Sequence, residues 1–323
     1  MTAPDLIDHG FIRHQLHRRG PVLAGAPHPL VTRAVEDIAL RLEAVLRPFG
    51  TAAVISPVPT MLPGLLASRA QTHCVLDGRV FGGPLQPMQS PDGSARLLWA
   101  DPTGGSDAHA QPMADIVPLL LDHEAMAFAD ASLDLVISLL TMQAVNDLPG
   151  HLVQIRRALR PDGLFLGVAF GDDTLHELRE ALIEAEAEHA GGAAPRVLPF
   201  ADVRSLGSLL QRAGFALPVV DRDRLQLRYS SALALIDELR RHALANPLTD
   251  RVRAPLPRGT LFTAAERYAE KFAADGRVPA TVSLVTLTGW APDASQPQPL
   301  QPGSAKSRLA DALGTTEHPA GDD

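Results

Sequence analysis

The sequence predicts an α/β fold with a Rossmann-like, largely parallel sheet, and three observations predict it. Short continuous apolar runs are typical of strands that are buried on both faces. These runs alternate with longer amphipathic stretches that are typical of helices, which is the pattern of a parallel α/β sheet. A run rich in β-branched residues, 281–290, follows a long helical region and predicts a late antiparallel strand.

The first part of the chain supplies a helix and two strands. Apolar residues recur every three or four positions over 29–47 and predict an amphipathic helix that ends before Gly50. Apolar runs at 51–56 and 72–77 predict the first two buried strands. Residues 78–113 are rich in Gly, Pro, Ser and Gln, so we expect a loop insertion or mobile loop there, with one strand-like run at 95–100.

The second part of the chain has a sharper pattern. An apolar run at 116–121 and the runs at 133–140 and 164–170 predict further strands, with a helix over 148–159 and a Pro-Asp-Gly turn over 160–163 between the last two. The remaining segments are predicted as follows: helices over 174–189, 202–213, 232–244 and 263–274, strands over 217–220 and 225–229, and a short helix over 304–313.

These elements predict one large domain with additions. We expect an N-terminal helical segment at 1–50 and a main domain at 51–290, with a loop insertion at 78–113 and a helical insertion at 231–275. A tail rich in Pro and Gln follows at 291–323.

Composition excludes several classes of function. One cysteine, Cys74, rules out an intramolecular disulfide framework and zinc sites built on paired cysteines. A net charge of −8 argues against a broad nucleic-acid surface, although residues 9–20 form a local basic patch, either a solvated turn or a binding arm. The N-terminal residues lack a signal or transit pattern, and no apolar run is long enough for a membrane span, so we expect a cytoplasmic protein.

Familiar catalytic and metal-binding patterns are missing from the sequence. It has no Gly-x-Ser-x-Gly elbow, no Walker loop and no convincing zinc motif, since His14 and His17 form the only close histidine pair and lie among arginines. We therefore predict no metal site and assign no catalytic residue.

Candidate ligand-binding residues follow from the predicted strand ends, because α/β sheets bind nucleotides at the carboxyl ends of their strands. Asp77 ends the second strand, where an acid typically holds ribose hydroxyls, and Asp122 follows a later apolar run, where a carboxylate can accept from an adenine amino group. Asn146 and Asp147 follow the strand at 133–140, where substrate-facing loops lie. The alternatives are a turn residue for Asp77, an N-cap or surface residue for Asp122, and helix capping for Asn146 or Asp147.

The turn after the first strand departs from the nucleotide-binding pattern. Where a glycine-rich loop is expected, residues 56–64 read Ser-Pro-Val-Pro-Thr-Met-Leu-Pro-Gly. Proline lacks a backbone N–H and fixes φ near −65°, whereas glycine lets the backbone approach a ligand. A dinucleotide or adenosyl cofactor could not be held there in the usual manner.

Several motifs resemble class I S-adenosylmethionine-dependent methyltransferases. The order of Asp122, Phe128-Ala-Asp-Ala-Ser-Leu-Asp-Leu-Val136, Val145-Asn-Asp-Leu-Pro149 and Leu159-Arg-Pro-Asp-Gly163 is similar to the second half of that fold. Further motifs resemble one branch, the bacterial relatives of the mitochondrial complex I assembly factor with a methyltransferase domain, near the biotin-pathway carrier-protein methyltransferases. These are Phe170-Gly-Asp-Asp-Thr-Leu-His-Glu-Leu-Arg179, Leu206-Gly-Ser-Leu-Leu-Gln-Arg-Ala-Gly-Phe215 and Val278-Pro-Ala-Thr281.

The resemblance implies a seven-stranded sheet with an antiparallel last strand, helices on both faces, and S-adenosylmethionine as the cofactor. It implies that Ser56 and Asp77 lie against the cofactor, Asp77 at its ribose, with Asp122 and Phe128 on the adenine side. It also implies that Gln143, Asn146 and Asp147 face the substrate. The chain departs from the family in its proline-rich turn and in Gln143-Ala144, where many members carry His-Trp.

Two functions follow from the resemblance. The first is methyl transfer to a protein or small-molecule acceptor. The alternative is a protein that kept the fold without catalysis and assists assembly of respiratory complex I through a subunit as partner, or hydroxylates a protein arginine.

Overall fold

We describe the protein from a computed structural model. It describes residues 5–12, 14, 15, 18, 28–56, 124–126, 128–297, 310, 311 and 314–316, and the backbone of four strands at 71–76, 88–89, 95–96 and 119–120. The chain divides into two compact units, residues 1–292 and residues 293–323. All elements named below belong to the first unit.

The first unit is built on one mixed sheet. Its strands are β1 Thr51–Ile55, β2 Gln71–Leu76, β5 Leu119–Leu120, β6 Leu133–Leu139, β7 Leu159–Phe170, β8 Ala216–Tyr229 and β9 Val278–Trp290, while β3 Met88–Gln89 and β4 Ala95–Arg96 form a separate antiparallel pair. The order in the sheet is β5-β2-β1-β6-β7-β9-β8. The first five strands in this order, from β5 through β2, β1 and β6 to β7, are parallel to one another. Strand β9 runs antiparallel to both of its neighbours, β7 and β8. The predicted α/β class with a Rossmann-like sheet is confirmed.

Helices cover both faces of the sheet. They are α1 Pro29–Glu43, α2 Leu148–Ala158, α3 His176–Ala190, α4 Val203–Arg212, α5 Ala232–Arg241 and α6 Arg258–Phe272. The apolar stripe of α1, centred on Ile38, packs against one face. Leu152 of α2 and Leu206 of α4 pack against the other. Alternate residues of β1 and β6 enter the two clusters, as expected for strands buried on both sides.

A third cluster lies beside the sheet. Helices α3, α5 and α6 enclose Tyr268 together with the first residues of β9. The ring of Tyr268 is fully buried, and its hydroxyl donates to the backbone oxygen of Pro279 at 2.6 Å. Helices α5 and α6 fall within the segment predicted as a helical insertion, whereas α3 precedes it.

The predicted turn over 160–163 lies within the bounds of β7 as an irregularity, because the pairing with β6 shifts there from Leu133–Leu159 to Leu135–Leu164. Asp162, and not Gly163, adopts the left-handed conformation, with φ of 61°. The chain after β9 keeps this region paired: Asp162 N donates to Ala291 O at 3.1 Å, and Ala291 N donates to Gly163 O at 2.8 Å. The Pro-Asp-Gly segment is therefore an irregular part of β7, and its hydrogen bonds to Ala291 hold it in place.

The two strands predicted around 217–229 are one strand, β8. Asp221 and Asp223 interrupt the apolar pattern, but they pair with Arg41 and Arg33 of α1 at 2.9 and 2.8 Å. The two arginines that alternate with these aspartates lie 3.5 Å from Asp173, before α3. The charged side chains of this stretch therefore meet opposite charges on both faces of β8, so the strand continues through it.

Other differences concern element ends. The structure ends α1 at Glu43, four residues earlier than predicted, and begins α6 at Arg258, five residues earlier. It begins β9 at Val278, three residues before the predicted start. Most of the predicted 78–113 insertion and of the 304–313 helix lies outside the described residues. Within the described part of the chain, no helix has the length and apolar character needed to cross a membrane.

Candidate functional site

A cavity with a volume of about 620 Å³ lies where β6 and β7 end. Leu140, Thr141, Gln143 and Ala144 line it after β6, and Phe170 and Thr174 line it at the end of β7. Most of the remaining wall is apolar and comes from α1, α3, α5 and the connections around them, including Val31, Leu178, Val197, Leu198, Leu239 and Leu256. This size and character are typical of a small-molecule site, which commonly occupies about 300–1,000 Å³.

A group of polar side chains stands in this apolar wall. Glu238 of α5 accepts hydrogen bonds from His28 Nε2 at 2.9 Å and from the Tyr229 hydroxyl at 2.8 Å. The ring of His242 lies edge-on to that of His28, with centroids 4.9 Å apart. Burial acts to raise the pKa of Glu238, but the hydrogen bonds from His28 and Tyr229 outweigh it and hold that pKa below its usual range.

Two neighbours of Glu238 also have shifted pKa values. Burial, aided by the hydrogen bond to the carboxylate, raises the pKa of Tyr229 well above its usual value. Burial lowers the pKa of His242, and the proximity of His28 lowers it further. At neutral pH the phenol is therefore protonated and the His242 imidazole is uncharged, so neither cancels the charge of Glu238.

Of the predicted cofactor residues, the structure describes Ser56 and Phe128. Ser56 is buried and directly follows β1, and the preceding Ile55 pairs with Ser138 of the parallel neighbour β6. Ser56 therefore follows a strand that neighbours β6, but it is not among the residues that line the cavity. Phe128 is partly buried and packs against the cluster beneath α2 and α4. Asp77 and Asp122 lie outside the described residues.

Of the three residues predicted to face a substrate, Gln143 lines the cavity. Its Nε2 donates to Leu140 O at 2.6 Å, while its buried Oε1 has no hydrogen-bond partner among the described residues. A short 3₁₀ helix, Met142–Ala144, carries this side chain, and Leu140 before it has φ of 51°.

Asp147 and Asn146 make structural contacts. Asp147 is the N-cap of α2 and accepts from Gly150 N at 2.9 Å, so the capping alternative describes its side chain. The side-chain oxygen of Asn146 accepts from Ile7 N at 2.7 Å. Asn146 thereby holds residues 5–12, which we call the N-terminal strap. Contact of these two residues with a substrate stays a prediction.

The strap is held from a second side by the connection between α5 and α6. Arg251 donates from Nη1 to Asp8 Oδ2 at 3.0 Å, and its guanidinium lies 3.8 Å from the centre of the Phe11 ring. Phe11 and Ile12 both line the cavity. The strap therefore supplies part of the cavity wall.

The comparisons with known proteins agree with this fold. A methyltransferase domain family matches residues 82–167. Arginine-hydroxylase NDUFAF5, mitochondrial, from Danio rerio is 41% identical over 194 residues, covering 60% of this chain and 60% of that protein. Malonyl-(acyl-carrier protein) O-methyltransferase from Xylella fastidiosa is 36% identical over 171 residues, covering 53% of this chain and 56% of that protein. The chain has a class I methyltransferase fold.

The chain spans about three fifths of the length of these two curated relatives. Among solved structures, this chain is similar to the YcgJ protein of Bacillus subtilis with a TM-score of 0.49 and 11% identity, covering 81% of this chain and 99% of that one.

Sequence reasoning missed the group around Glu238 in this methyltransferase fold. His28 and Glu238 are separated by 210 residues, and Asp8 and Arg251 by 243. No local spacing could have joined them. His28 does carry one local signal, since it precedes Pro29 at the first turn of α1 and caps that helix. Within the described residues, no three His, Cys, Asp or Glu side chains are grouped as a metal site requires.

Proposed function

We propose that the chain is an S-adenosylmethionine-dependent methyltransferase that acts on a protein or small-molecule acceptor. The observation that carries the proposal is the cavity at the ends of β6 and β7. In open α/β sheets, ligands bind outside the carboxyl ends of the strands. The family match over 82–167 supports the same assignment.

Methyl transfer depends mainly on holding the donor and the acceptor in line, so it needs no obvious catalytic side chain. When bound, S-adenosylmethionine supplies an activated methyl group. We propose that Ser56, Asp77, Asp122 and Phe128 would hold the cofactor; the buried hydroxyl of Ser56 fits a hydrogen-bonding group at this edge. Gln143 would face the acceptor from the cavity wall.

The proposal extends to the arrangement of the chain. We assign the sheet to the seven-stranded methyltransferase type with an antiparallel last strand, and residues 51–290 to one methyltransferase-like domain with insertions at 78–113 and 231–275. We also propose a cytoplasmic location, which fractionation of the source cells tests.

Titration calorimetry of the purified chain with S-adenosylmethionine and with S-adenosylhomocysteine tests the function. We expect saturable heat with both ligands. The absence of heat at millimolar concentration of either ligand would contradict the proposal, because an enzyme that does not bind the donor cannot transfer its methyl group.

A second candidate function is assembly of respiratory complex I, with or without hydroxylation of a protein arginine. Two observations favour it: the relative named as an arginine hydroxylase has the higher identity of the two, and prolines stand where the fold usually has a glycine-rich turn. Deleting the gene and measuring complex I level and subunit masses tests it. The same amount of complex I in both strains, together with the same masses for its arginine-containing peptides, would reject it.

A further inference from the structure

Glu238 presents an incompletely bonded carboxylate to the cavity. Both of its hydrogen bonds, from His28 and from Tyr229, end on Oε1. Among the described residues no hydrogen bond reaches Oε2, and 31% of the side chain is accessible. One oxygen is therefore fixed by two donors, while the other is available to a molecule in the cavity.

Two of the neighbours of Glu238 are uncharged. Tyr229 is a neutral donor, and the lowered pKa of His242 keeps that ring uncharged at neutral pH. His28 Nδ1 accepts a hydrogen bond from Leu30 N at 3.2 Å, so Nε2 is the ring nitrogen that donates to Glu238. Glu238 thus brings a carboxylate to a mainly apolar cavity wall.

Among the described residues, the arginines of the cavity wall are already paired or stand at the surface. Arg196 binds Glu186 at 2.6 Å, and Arg251 binds Asp8 at 3.0 Å. Arg240 and Arg253 also line the cavity and are exposed to solvent. A carboxylate in apolar surroundings favours a positively charged partner, because an unpaired charge there is costly.

We propose that this cavity binds an apolar small molecule that carries a protonated primary amine, with the ammonium group on Oε2 of Glu238. The aliphatic walls, including Val31, Leu178 and Leu239, contact the apolar part. The cavity of about 620 Å³ is larger than one protein side chain requires, which favours a free molecule over a single inserted lysine.

The inference concerns binding and needs no methyl donor. The ligand is expected to bind whether or not the cofactor does. Titrations with the amine alone and with S-adenosylmethionine alone therefore separate failure of this inference from failure of the proposed function.

The test compares three probes with the same chain length on the full chain: decylamine, decanoate and 1-decanol, each below its aggregation limit at neutral pH. We expect one decylamine per chain, bound at least about tenfold more tightly than decanoate, a difference of about 1.4 kcal/mol. No saturable binding of decylamine, or equal binding of decanoate, would overturn the inference on the unaltered protein.

A charge-neutralising pair of variants identifies the carboxylate. Glu238→Gln is expected to weaken decylamine binding about tenfold and to leave 1-decanol binding unchanged. Glu266→Gln removes the same charge from an exposed position on α6 and should change neither. Unchanged decylamine binding by a folded Glu238→Gln protein would also overturn the inference, and if that variant does not fold, the three-probe comparison decides.

Discussion

Glu177 connects two motifs that lie far apart in the sequence. Its buried carboxylate accepts from Thr281 N at 3.1 Å and from Thr281 Oγ1 at 2.5 Å. One turn earlier, Thr174 Oγ1 accepts from Ser283 N at 3.1 Å. The motif at 170–179 thus binds the first turn of α3 to β9. The sequence predicts a helix and a strand here, but not that their polar residues meet.

Removing the negative charge of Glu177 should destabilise the protein. In Glu177→Gln one carboxylate oxygen becomes an NH2 group that faces the donors of Thr281, so we expect a loss of about 1–3 kcal/mol. Urea unfolding followed by circular dichroism measures it. Glu180→Gln, in an exposed pair with Lys271, is the control and should cost less than about 1 kcal/mol. Equal losses in both variants would contradict a special role for Glu177.

Asp134 makes stability depend on pH. Its Oδ2 accepts from Thr51 N at 2.7 Å and from Arg160 at 2.8 Å. Burial acts to raise the pKa of Asp134, but these two hydrogen bonds outweigh it and hold that pKa below the usual range. A carboxyl group with a lowered folded-state pKa stabilises the protein above its unfolded-state pKa, and this contribution is lost as pH falls through the folded-state value.

We therefore expect Asp134→Asn to be less stable than the unaltered protein at neutral pH, and the difference to shrink between about pH 5 and about pH 2. Urea midpoints measured across this range check the expectation. A stability difference that does not change with pH would show that the ionisation of Asp134 contributes nothing.

At the scale of elements, the N-terminal strap is tied to the rest of the unit mainly through its backbone. Asp8 N donates to Pro247 O at 2.8 Å, and Thr249 N donates to Leu6 O at 2.9 Å. Side chains add Asn146 and Arg251. The sequence pattern predicted only a basic patch at 9–20, because the residues that bind the strap are distant from it in sequence.

Arg251→Met should loosen the strap without unfolding the domain. The methionine keeps apolar contact with Phe11 but loses the ion pair with Asp8, so the amides of residues 5–12 should exchange several-fold faster. Hydrogen exchange with mass spectrometry measures this. Arg258→Met, at an exposed position, is the matched control. Unchanged exchange in the strap after Arg251→Met would show that its backbone bonds alone hold it.

At the scale of the whole molecule, periodicity predicted most elements of the sheet and its helical cover, since each buried strand or helix stripe is visible in a local window. It could not predict the cavity, whose wall combines residues from the strap to β9. Asp77 and Asp122, predicted from strand ends, remain predictions because they lie outside the described residues. Ser56 was implied by the family resemblance and directly follows β1.

The two faces of the sheet should unfold together, because β1 and β6 contribute to the apolar clusters on both sides. Leu152→Ala on one face and Ile38→Ala on the other remove fully buried side chains, and each should cost about 2–5 kcal/mol. Tryptophan fluorescence and far-ultraviolet circular dichroism should give the same urea midpoint in each variant. Separate midpoints would show that the two faces unfold independently.

The alternating charges of β8 affect whether two copies of the protein can associate through this strand. β8 is the last strand of the sheet, and its free edge could pair with another strand. In antiparallel pairing of two identical strands about a twofold axis, residues on the same face oppose each other, so aspartates would meet aspartates and arginines would meet arginines. Like charges directly opposite are destabilising. The salt bridges that let β8 continue through Asp221 and Asp223 thus belong to a pattern that opposes edge-to-edge aggregation.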